Sequence, residues 1–392
     1  MTESQETGTT ADRGTSAARG SSSPVGAPLV SLWTRGRRPP LLPLEDQVMV
    51  VTGASSGIGL VTARMAAARG AAVVLAARDG AALDEAVAGI VADGGRATAV
   101  VADVGDPADV ERIAATALAE HHRFDTWIND AGVSVFGLAD RVPLEDMRRQ
   151  MDTDYWGVVH GSLAAVAHLR SRRGYGGAIV NVGSVFGDRA TPLQATYSSA
   201  KHAVHGWTDG LRMDLEAQGL PISVTLLHPG RIDTPYDEDA QSHAERQPAH
   251  RGMIYPPEAV AEAALWAAEH PARDLYIGLQ ARLGAAAGAV APRLTDLVME
   301  RYMLWSQRSS RPSRPPGDSG LHQPAPRPGE RGPHEGWVRR RSYYLPVQEH
   351  RRVIALGVAA LAVAGAAART LPARSARSAR RAARIPTRRS RA

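Results

Sequence analysis

The chain has 392 residues, no cysteine and a formal net charge of +6. The missing cysteine excludes a disulfide framework, thiolate metal sites, iron–sulfur clusters and cysteine nucleophiles. The charge is uneven, because residues 301–392 contain 20 Arg against 4 acidic residues. Residues 1–300 are therefore net acidic, and we do not expect them to bind nucleic acid.

The first 40 residues are rich in Ser, Thr, Gly and Pro and show no apolar periodicity. Ordering such a segment costs more conformational entropy than burial returns, so we expect residues 1–40 to form a disordered arm. They contain no apolar run long enough for a signal peptide. Together with the absence of cysteine, this favours a cytoplasmic location for the folded part.

Residues 41–307 alternate short apolar runs with longer helical patterns, which is typical of βαβ units. The predicted strands are Gln47–Thr52, Ala71–Ala77, Ala97–Ala102, Thr126–Asn129, Ala178–Val182, Ile222–Leu227 and Leu275–Ile277. The predicted helices cover residues 57–69, 80–93, 107–121, 143–170, 196–218 and 257–270. We therefore expect a doubly wound, Rossmann-type α/β fold with a central seven-stranded parallel sheet.

A glycine-rich turn follows the first predicted strand, in the sequence Thr52-Gly53-Ala54-Ser55-Ser56-Gly57-Ile58-Gly59. Gly53 allows a tight turn, Gly57 lets the backbone approach a pyrophosphate, and Gly59 lets the helix pack closely on the strand. The start of the next helix would face the phosphates. A strand before this motif and a helix after it are the context that a dinucleotide site requires.

The tip of the second predicted strand determines what would meet the adenosine ribose. A carboxylate there accepts from the 2′-hydroxyl of NAD, whereas an arginine pairs with the 2′-phosphate of NADP. Ala77 occupies the tip and Arg78 follows, so we expect NADP(H) as the preferred cofactor. Asp79 comes next and could instead bind the ribose, which keeps NAD(H) as the alternative.

Three side chains after the fifth predicted strand form a candidate catalytic group. Ser184 follows the strand directly, and Tyr197 and Lys201 are four residues apart, on one face of a predicted helix. A nearby ammonium stabilises a phenolate and lowers the pKa of a tyrosine, which makes proton exchange easier. Lys201 is the only lysine in the chain; everywhere else the basic residue is Arg, whose planar group cannot replace a compact ammonium.

These motifs, with Asp103-Val104, Asn129-Asp130-Ala131-Gly132 and Pro229-Gly230 before Thr234, resemble the short-chain dehydrogenase/reductase family over roughly residues 45–280. The resemblance implies an enzyme that transfers hydride between NAD(P)(H) and a small carbonyl or alcohol substrate, in a homo-oligomer. It implies that Tyr197 donates or accepts the proton, Ser184 bonds the substrate oxygen and Lys201 bonds the nicotinamide ribose.

The same resemblance implies the cofactor contacts. Asp103 and Val104 would hold the adenine, Asn129 would brace the central strands, and Thr234 would bind the nicotinamide carboxamide. The complete set of cofactor-binding residues is expected to be Thr52, Gly53, Ser55, Gly57, Ile58, Gly59, Arg78, Asp103, Val104, Asn129, Ala131, Gly132, Tyr197, Lys201, Pro229, Gly230, Ile232 and Thr234.

Two positions depart from the family pattern. Asp130 replaces the second Asn of the usual Asn-Asn-Ala-Gly, and Asp154 stands where a fourth catalytic residue is usually Asn. We expect Asp154 to belong to the catalytic group, although its charge would perturb the proton relay. Slow or altered catalysis is one expected consequence.

Other chemistry is less well supported. The histidines show no metal-ligand spacing, so no metal site is predicted. A hydrolase built on Ser184 would leave the glycine-rich turn unexplained. A substrate pocket is expected from Phe136, Phe186 and Leu193 together with a long, polar and mobile lid at 236–255. These aromatic residues favour an apolar substrate, although ordinary packing explains them equally well.

The C-terminal part divides by composition into a Pro/Arg-rich linker at 308–350 and a basic tail at 351–392. The tail contains sixteen uncharged, mostly apolar residues at 353–368, between arginine clusters. A helix of that length spans about 24 Å, which is short of the ~30 Å hydrocarbon core. Membrane association through this segment is one interpretation, and a helix packed on protein or a solvated tail is the other.

The sequence therefore predicts an NADP(H)-dependent oxidoreductase acting on a carbonyl or alcohol. The alternative is a catalytically weak dinucleotide-binding sensor or scaffold, tethered to the membrane by its basic tail.

Overall fold

The computed structural model describes residues 40–350, except 173–175, 316, 327–328, 335–336 and 340. The predicted arm, apart from Pro40, and the predicted tail, including the apolar segment 353–368, lie outside the described residues. No helix within the described ranges is long and apolar enough to cross a membrane.

The described residues form thirteen strands: β1 (Val48–Thr52), β2 (Ala72–Ala77), β3 (Arg96–Val101), β4 (Thr126–Asn129), β5 (Val135–Phe136), β6 (Gly177–Val182), β7 (Ile222–Pro229), β8 (Gln241–Ser242), β9 (Arg246–Pro248), β10 (Met253–Ile254), β11 (Asp274–Ile277), β12 (Arg308–Pro312) and β13 (Trp337–Val338). Their α-helices are α1 (Gly57–Ala68), α2 (Gly80–Ala92), α3 (Pro107–His121), α4 (Leu144–Met151), α5 (Gly157–Leu169), α6 (Ala195–Ala217), α7 (Tyr236–Asp239), α8 (Glu258–Glu269), α9 (Leu279–Val290), α10 (Pro292–Ser306) and α11 (Leu345–Glu349).

Seven of these strands form one sheet in the order β11-β7-β6-β4-β1-β2-β3, and all its neighbours are parallel. The predicted fold class and strand number are therefore confirmed. Every residue of β1, β2, β6 and β7 is buried, as expected for a parallel sheet covered on both faces. Because the strands are parallel, their carboxyl ends meet at one edge, where ligands bind in such folds.

Helices cover both faces of the sheet and give it two apolar layers. Met49 and Val51 of β1 face one layer, which α1, α2 and α8 complete. Val48 and Val50 face the other layer, with α3, α5 and α6. The alternation follows from the strand's two-residue period, which points successive side chains to opposite faces.

The helix predicted at 143–170 is interrupted. A π-helical turn, Asp152–Trp156, joins α4 to α5. Such single-turn irregularities frequently occur at functional sites, and this one contains Asp154.

The prediction of a linker at 308–350 is wrong. β12 pairs antiparallel with β9, and β13 pairs parallel with β10. Leu321 is fully buried and Leu345 nearly so. The Pro/Arg-rich composition is typical of linkers because it lacks periodic apolar residues, but here backbone pairing and two isolated leucines dock the segment.

We expect a chain ending at Gln307 to be less stable than one ending at His350. The shorter chain loses the burial of Leu321 and Leu345, each worth about 1.5–3 kcal/mol. It also loses two arginine partners of the buried Glu238 carboxylate, Arg311 and Arg314. Urea denaturation of both chains measures the difference in the free energy of unfolding. Equal midpoints would show that the segment adds nothing to stability.

Candidate active site

The glycine-rich turn between β1 and α1 has the geometry its sequence predicts. Gly53 and Gly57 have positive φ angles of +72° and +51°. A Cβ on Gly53 would lie 2.8 Å from the Cα of Ala131, and one on Gly59 would lie 2.4 Å from the carbonyl oxygen of Gly53. Position 53 therefore needs glycine because of its positive φ angle and because a Cβ has no space there. Position 59 needs glycine only because a Cβ has no space.

Two polar side chains behind this turn tie it to the neighbouring strand. The Thr52 hydroxyl accepts from the backbone N–H groups of Asp130 and Ala131, at 3.2 and 3.3 Å. The Asn129 amide donates to Asn181 Oδ1 at 2.8 Å and accepts from Trp127 Nε1 at 2.8 Å. Asn129 thus connects β4 to β6 and lies in the position that the resemblance implies for a brace.

A cleft with about 1480 Å³ of empty space, partly open to solvent, lies at the carboxyl edge of the sheet. Most of the predicted cofactor residues line it, while Thr52, Gly59 and Asn129 lie behind its wall. The predicted residues that line it are Gly53, Ser55, Gly57, Ile58, Arg78, Asp103, Val104, Ala131, Gly132, Ser184, Tyr197, Lys201, Pro229, Gly230, Ile232 and Thr234.

Asp79, the competing ribose ligand, lines the cleft but also caps a helix. Its carboxylate accepts from the backbone N–H of Ala82 at 3.0 Å and caps the start of α2. Arg78 is half-buried and lines the cleft. Burial and the neighbouring Arg149 lower the pKa of Arg78, while Asp103 raises it.

Part of the former linker reaches this cleft. We call residues 317–326 and 329–334 the strap. Arg78 donates to the strap carbonyls of Gly320 and Leu321, the latter at 3.0 Å. Gly320, Pro324 and Ala325 of the strap line the cleft. Sequence reasoning missed these residues because nothing in their composition indicates a site.

The predicted catalytic side chains come together at the inner end of the cleft. The Tyr197 side chain lies beside those of Ser184 and Tyr236, with 5.6 Å between the centroids of the two tyrosine rings. Lys201 Nζ lies 5.7 Å from the centroid of the Tyr197 ring and donates to the carbonyl oxygen of Val182 at 3.0 Å. Lys201 and Ser184 are both buried. The helical spacing of four residues thus does place Tyr197 and Lys201 side by side.

The pKa of Tyr197 behaves differently from the prediction. Burial raises it most, the charge of Asp154 also raises it, and the charge of Lys201 and the nearby hydroxyls of Ser184 and Tyr236 lower it by less, so the net direction is upward. Burial penalises a phenolate because its charge leaves water. Without further positive charge, Tyr197 is a protonated phenol that can donate its proton.

Asp154 is fully buried at the π-helical turn. Its carboxylate accepts from the backbone N–H of Val133 at 2.8 Å and from Gln150 Nε2 at 3.3 Å. Burial raises the pKa of Asp154 to about 6, against the lowering effect of Lys201. The side chain therefore fixes the loop after β4 and is not itself part of the cleft lining.

Asp130, the other departure from the family pattern, lies against the start of α1. Burial raises its pKa to about 8, while the charge of Lys201 and a hydrogen bond from the Gly59 N–H lower it. At neutral pH this carboxyl is mostly protonated, so it resembles the neutral amide that the family usually has there.

The substrate side of the cleft differs from the expected mobile lid. Phe186 and Tyr236 line the cleft, whereas Phe136 and Leu193 pack behind them. The segment 236–255 is held by β8, β9 and β10, which pair with β5, β12 and β13. Tyr236, which was expected only at the edge of the lid, packs edge-on against the Tyr197 ring. Its position two residues after Thr234 was the available signal.

A histidine cluster lies behind the catalytic group. Asp188, His205 and His228 place three side-chain ligand atoms within 4.8 Å of one another. His228 lies between the carboxylates of Asp188 and Asp274, at 3.0 and 3.3 Å, which raise its pKa despite burial. These hydrogen bonds account for the convergence without a metal ion, so the absence of a metal site stays a prediction.

The chain resembles known oxidoreductases in sequence and structure. A sequence model of the short chain dehydrogenase family matches residues 47–245. The uncharacterized oxidoreductase YxnA of Bacillus subtilis is 56% identical over 327 residues, or 83% of this chain and 91% of that protein. A 3-oxoacyl-[acyl-carrier-protein] reductase of Synechocystis is 35% identical, over 60% of this chain and 94% of its own.

A solved structure of 3-ketoacyl-(acyl-carrier-protein) reductase from Brucella melitensis, complexed with NADH, matches with a TM-score of 0.52. It is 26% identical and covers 60% of this chain and 97% of its own. The fold and the site thus define an oxidoreductase of the Rossmann type. The chain belongs to the short-chain dehydrogenase/reductase family.

We expect replacement of Asp154 by Asn to change how stability depends on pH. A carboxyl whose pKa is about 6 when folded keeps its proton longer than in the unfolded chain, so the free energy of unfolding falls as the pH rises from about 4 past 6. The variant lacks this loss. The free energy of unfolding of the variant should therefore rise, relative to that of the wild type, by up to about 3 kcal/mol between pH 4 and pH 8.

Urea denaturation at both pH values measures this gain. Asp152→Asn, on the exposed side of the same turn, is the matched control and should show no such trend. An Asp154→Asn gain that is the same at both pH values would contradict the raised pKa.

Proposed function

We propose that the protein is an NADP(H)-dependent oxidoreductase that interconverts a carbonyl and an alcohol, with Tyr197 as proton donor and acceptor. The observation that carries this proposal is the grouping of Tyr197, Ser184 and Lys201 in the cleft that the glycine-rich turn opens. When bound, the nicotinamide supplies or accepts the hydride. The relatives named above are oxidoreductases, which supports the reaction class.

The chain's own groups would act on the substrate oxygen. The Ser184 hydroxyl, which accepts from the Phe186 N–H at 3.1 Å, can donate to that oxygen and orient it. The Tyr197 phenol can donate its proton to the same oxygen during reduction and take it back during oxidation. The ammonium of Lys201 stabilises the phenolate that remains. Phe186 and Tyr236 present ring surface beside this point, which suits an apolar substituent.

The choice of NADP(H) rests on the tip of β2. Arg78 and Asp79 both line the cleft, but Asp79 Oδ1 is used as a helix cap. An arginine is a strong partner for a phosphate, whereas a ribose 2′-hydroxyl would have to share the Asp79 carboxylate with the helix cap. The alternative of a weakly catalytic sensor rested on Asp130 and Asp154. Because Asp130 is mostly protonated, it does not favour that alternative. Asp154 bonds Val133 outside the cleft lining, and its charge above about pH 6 would slow proton transfer.

We expect Arg78→Ala to weaken NADPH binding by about 1.5–3 kcal/mol, the scale of a hydrogen bond to a charged group. NADH lacks the 2′-phosphate, so its affinity should change little. Calorimetric titration of each cofactor measures both effects, and Arg78→Lys, which keeps the charge, should lose less. Equal losses for NADPH and NADH would contradict the assignment.

We expect Lys201→Arg to lower kcat by about 100-fold or more, the size of a general acid–base contribution. The substitution preserves charge but replaces a compact ammonium with a wider planar group. Steady-state kinetics with NADPH and a panel of aldehydes, ketones and quinones test it, beside Tyr197→Phe, which removes only the hydroxyl. Circular dichroism shows whether each variant folds. Turnover near the wild-type value in Lys201→Arg would remove the lysine from the mechanism.

A further inference from the structure

We propose that residues 329–334 of the strap gate the phosphate-binding part of the dinucleotide cleft, so that the cofactor's pyrophosphate reaches and leaves the start of α1 only when these residues are released. The proposal rests on the function proposed above. It assigns a role in cofactor exchange to a part of the chain that lies outside the region matched by the family model, residues 47–245.

The first half of the strap is a fixed wall. Leu321 is fully buried with Val133, Val135 and Val142. Its carbonyl oxygen accepts from Arg78 at 3.0 Å and from Arg149 Nε at 3.1 Å. This half therefore joins the residue expected to meet the 2′-phosphate to the apolar packing beneath it, and burial of the leucine keeps it in place.

The second half lies across the start of α1. The carbonyl oxygen of Gly329 accepts from the backbone N–H of Gly57 at 2.8 Å. Amides at a helix start are the groups that bind phosphates in dinucleotide sites. Gly332 lies against Thr234, so closely that a Cβ would come within 2.3 Å of the Thr234 carbonyl oxygen. This half therefore contacts the two cleft-lining positions Gly57 and Thr234, which lie on either side of the expected pyrophosphate region.

Polar contacts hold the second half. The buried carboxylate of Asp233 accepts from Arg331 at 3.3 Å and lies 2.9 Å from His334 Nδ1. Arg331 also pairs with Glu258 at 2.6 Å, and Glu330 pairs with Arg64 at 2.5 Å. The last two pairs are partly exposed, and such ion pairs contribute little each. In the first half, by contrast, Leu321 is fully buried, so we infer that the second half releases first.

A double variant, Glu330→Gln with Arg331→Gln, loosens the second half and leaves the net charge unchanged, so electrostatic attraction of the cofactor is preserved. Its matched control is Arg69→Gln with Glu262→Gln, which removes an exposed pair at 2.7 Å between the end of α1 and α8. None of the four substituted residues lines the cleft. Both variants are made in the full chain.

Stopped-flow fluorescence measures NADPH association and dissociation. We expect both rate constants to rise about five-fold in the strap variant, as loss of roughly 1 kcal/mol of ion-pair energy implies, while the control matches the wild type. An association rate that is unchanged or slower in the strap variant would overturn the gate.

A second measurement needs no cofactor. Hydrogen exchange of the Gly57 amide should be faster in the strap variant than in the wild type and the control, because its acceptor is released more often. If neither NADPH nor NADH binds the wild type, the proposed function fails and the gate with it, whatever Gly57 shows. If both cofactors bind but rates and exchange match the wild type, the gate alone fails.

Discussion

The charge of one buried ammonium is the interaction on which the rest of the site depends. Lys201 lowers the pKa of Asp130, Asp154 and Tyr197, while burial raises the pKa of all three. One cation cannot balance two carboxylates and a phenolate in a poorly solvated site. At neutral pH the site therefore keeps a proton on Asp130, whose pKa is about 8, while Asp154, whose pKa is about 6, is mostly ionised and faces the charge of Lys201.

This balance connects stability to catalysis. In the proposed reaction Tyr197 gives up a proton to a carbonyl, and every negative charge near it makes that harder. The carboxyl of Asp154 ionises near pH 6, so above that pH it adds such a charge and partly offsets Lys201. A proton on Asp154 would help Tyr197 ionise, whereas loss of that proton would make the phenol a weaker acid.

The sheet and the catalytic group could be predicted because they depend on local patterns. Buried parallel strands read as apolar runs, Gly53 and Gly59 are required by close backbone contacts, and Tyr197 and Lys201 share a helix face through their spacing. The cluster of Asp188 and His228 could not be predicted, since those residues come from different segments and meet only when the sheet forms. The strap could not be predicted either, because backbone carbonyls and a single leucine, Leu321, dock it.

The strap also changes how cofactor preference should be understood in this chain. Arg78 is placed by the end of β2, but its guanidinium is oriented by the carbonyls of Gly320 and Leu321, more than 240 residues further along the chain. A guanidinium has five N–H donors, so those two bonds leave others for a phosphate. In the proposed function, recognition of the 2′-phosphate is therefore a joint property of β2 and the strap. We therefore expect a change at Leu321 that shifts its backbone to alter the preference between NADPH and NADH, although Arg78 and β2 themselves are unchanged.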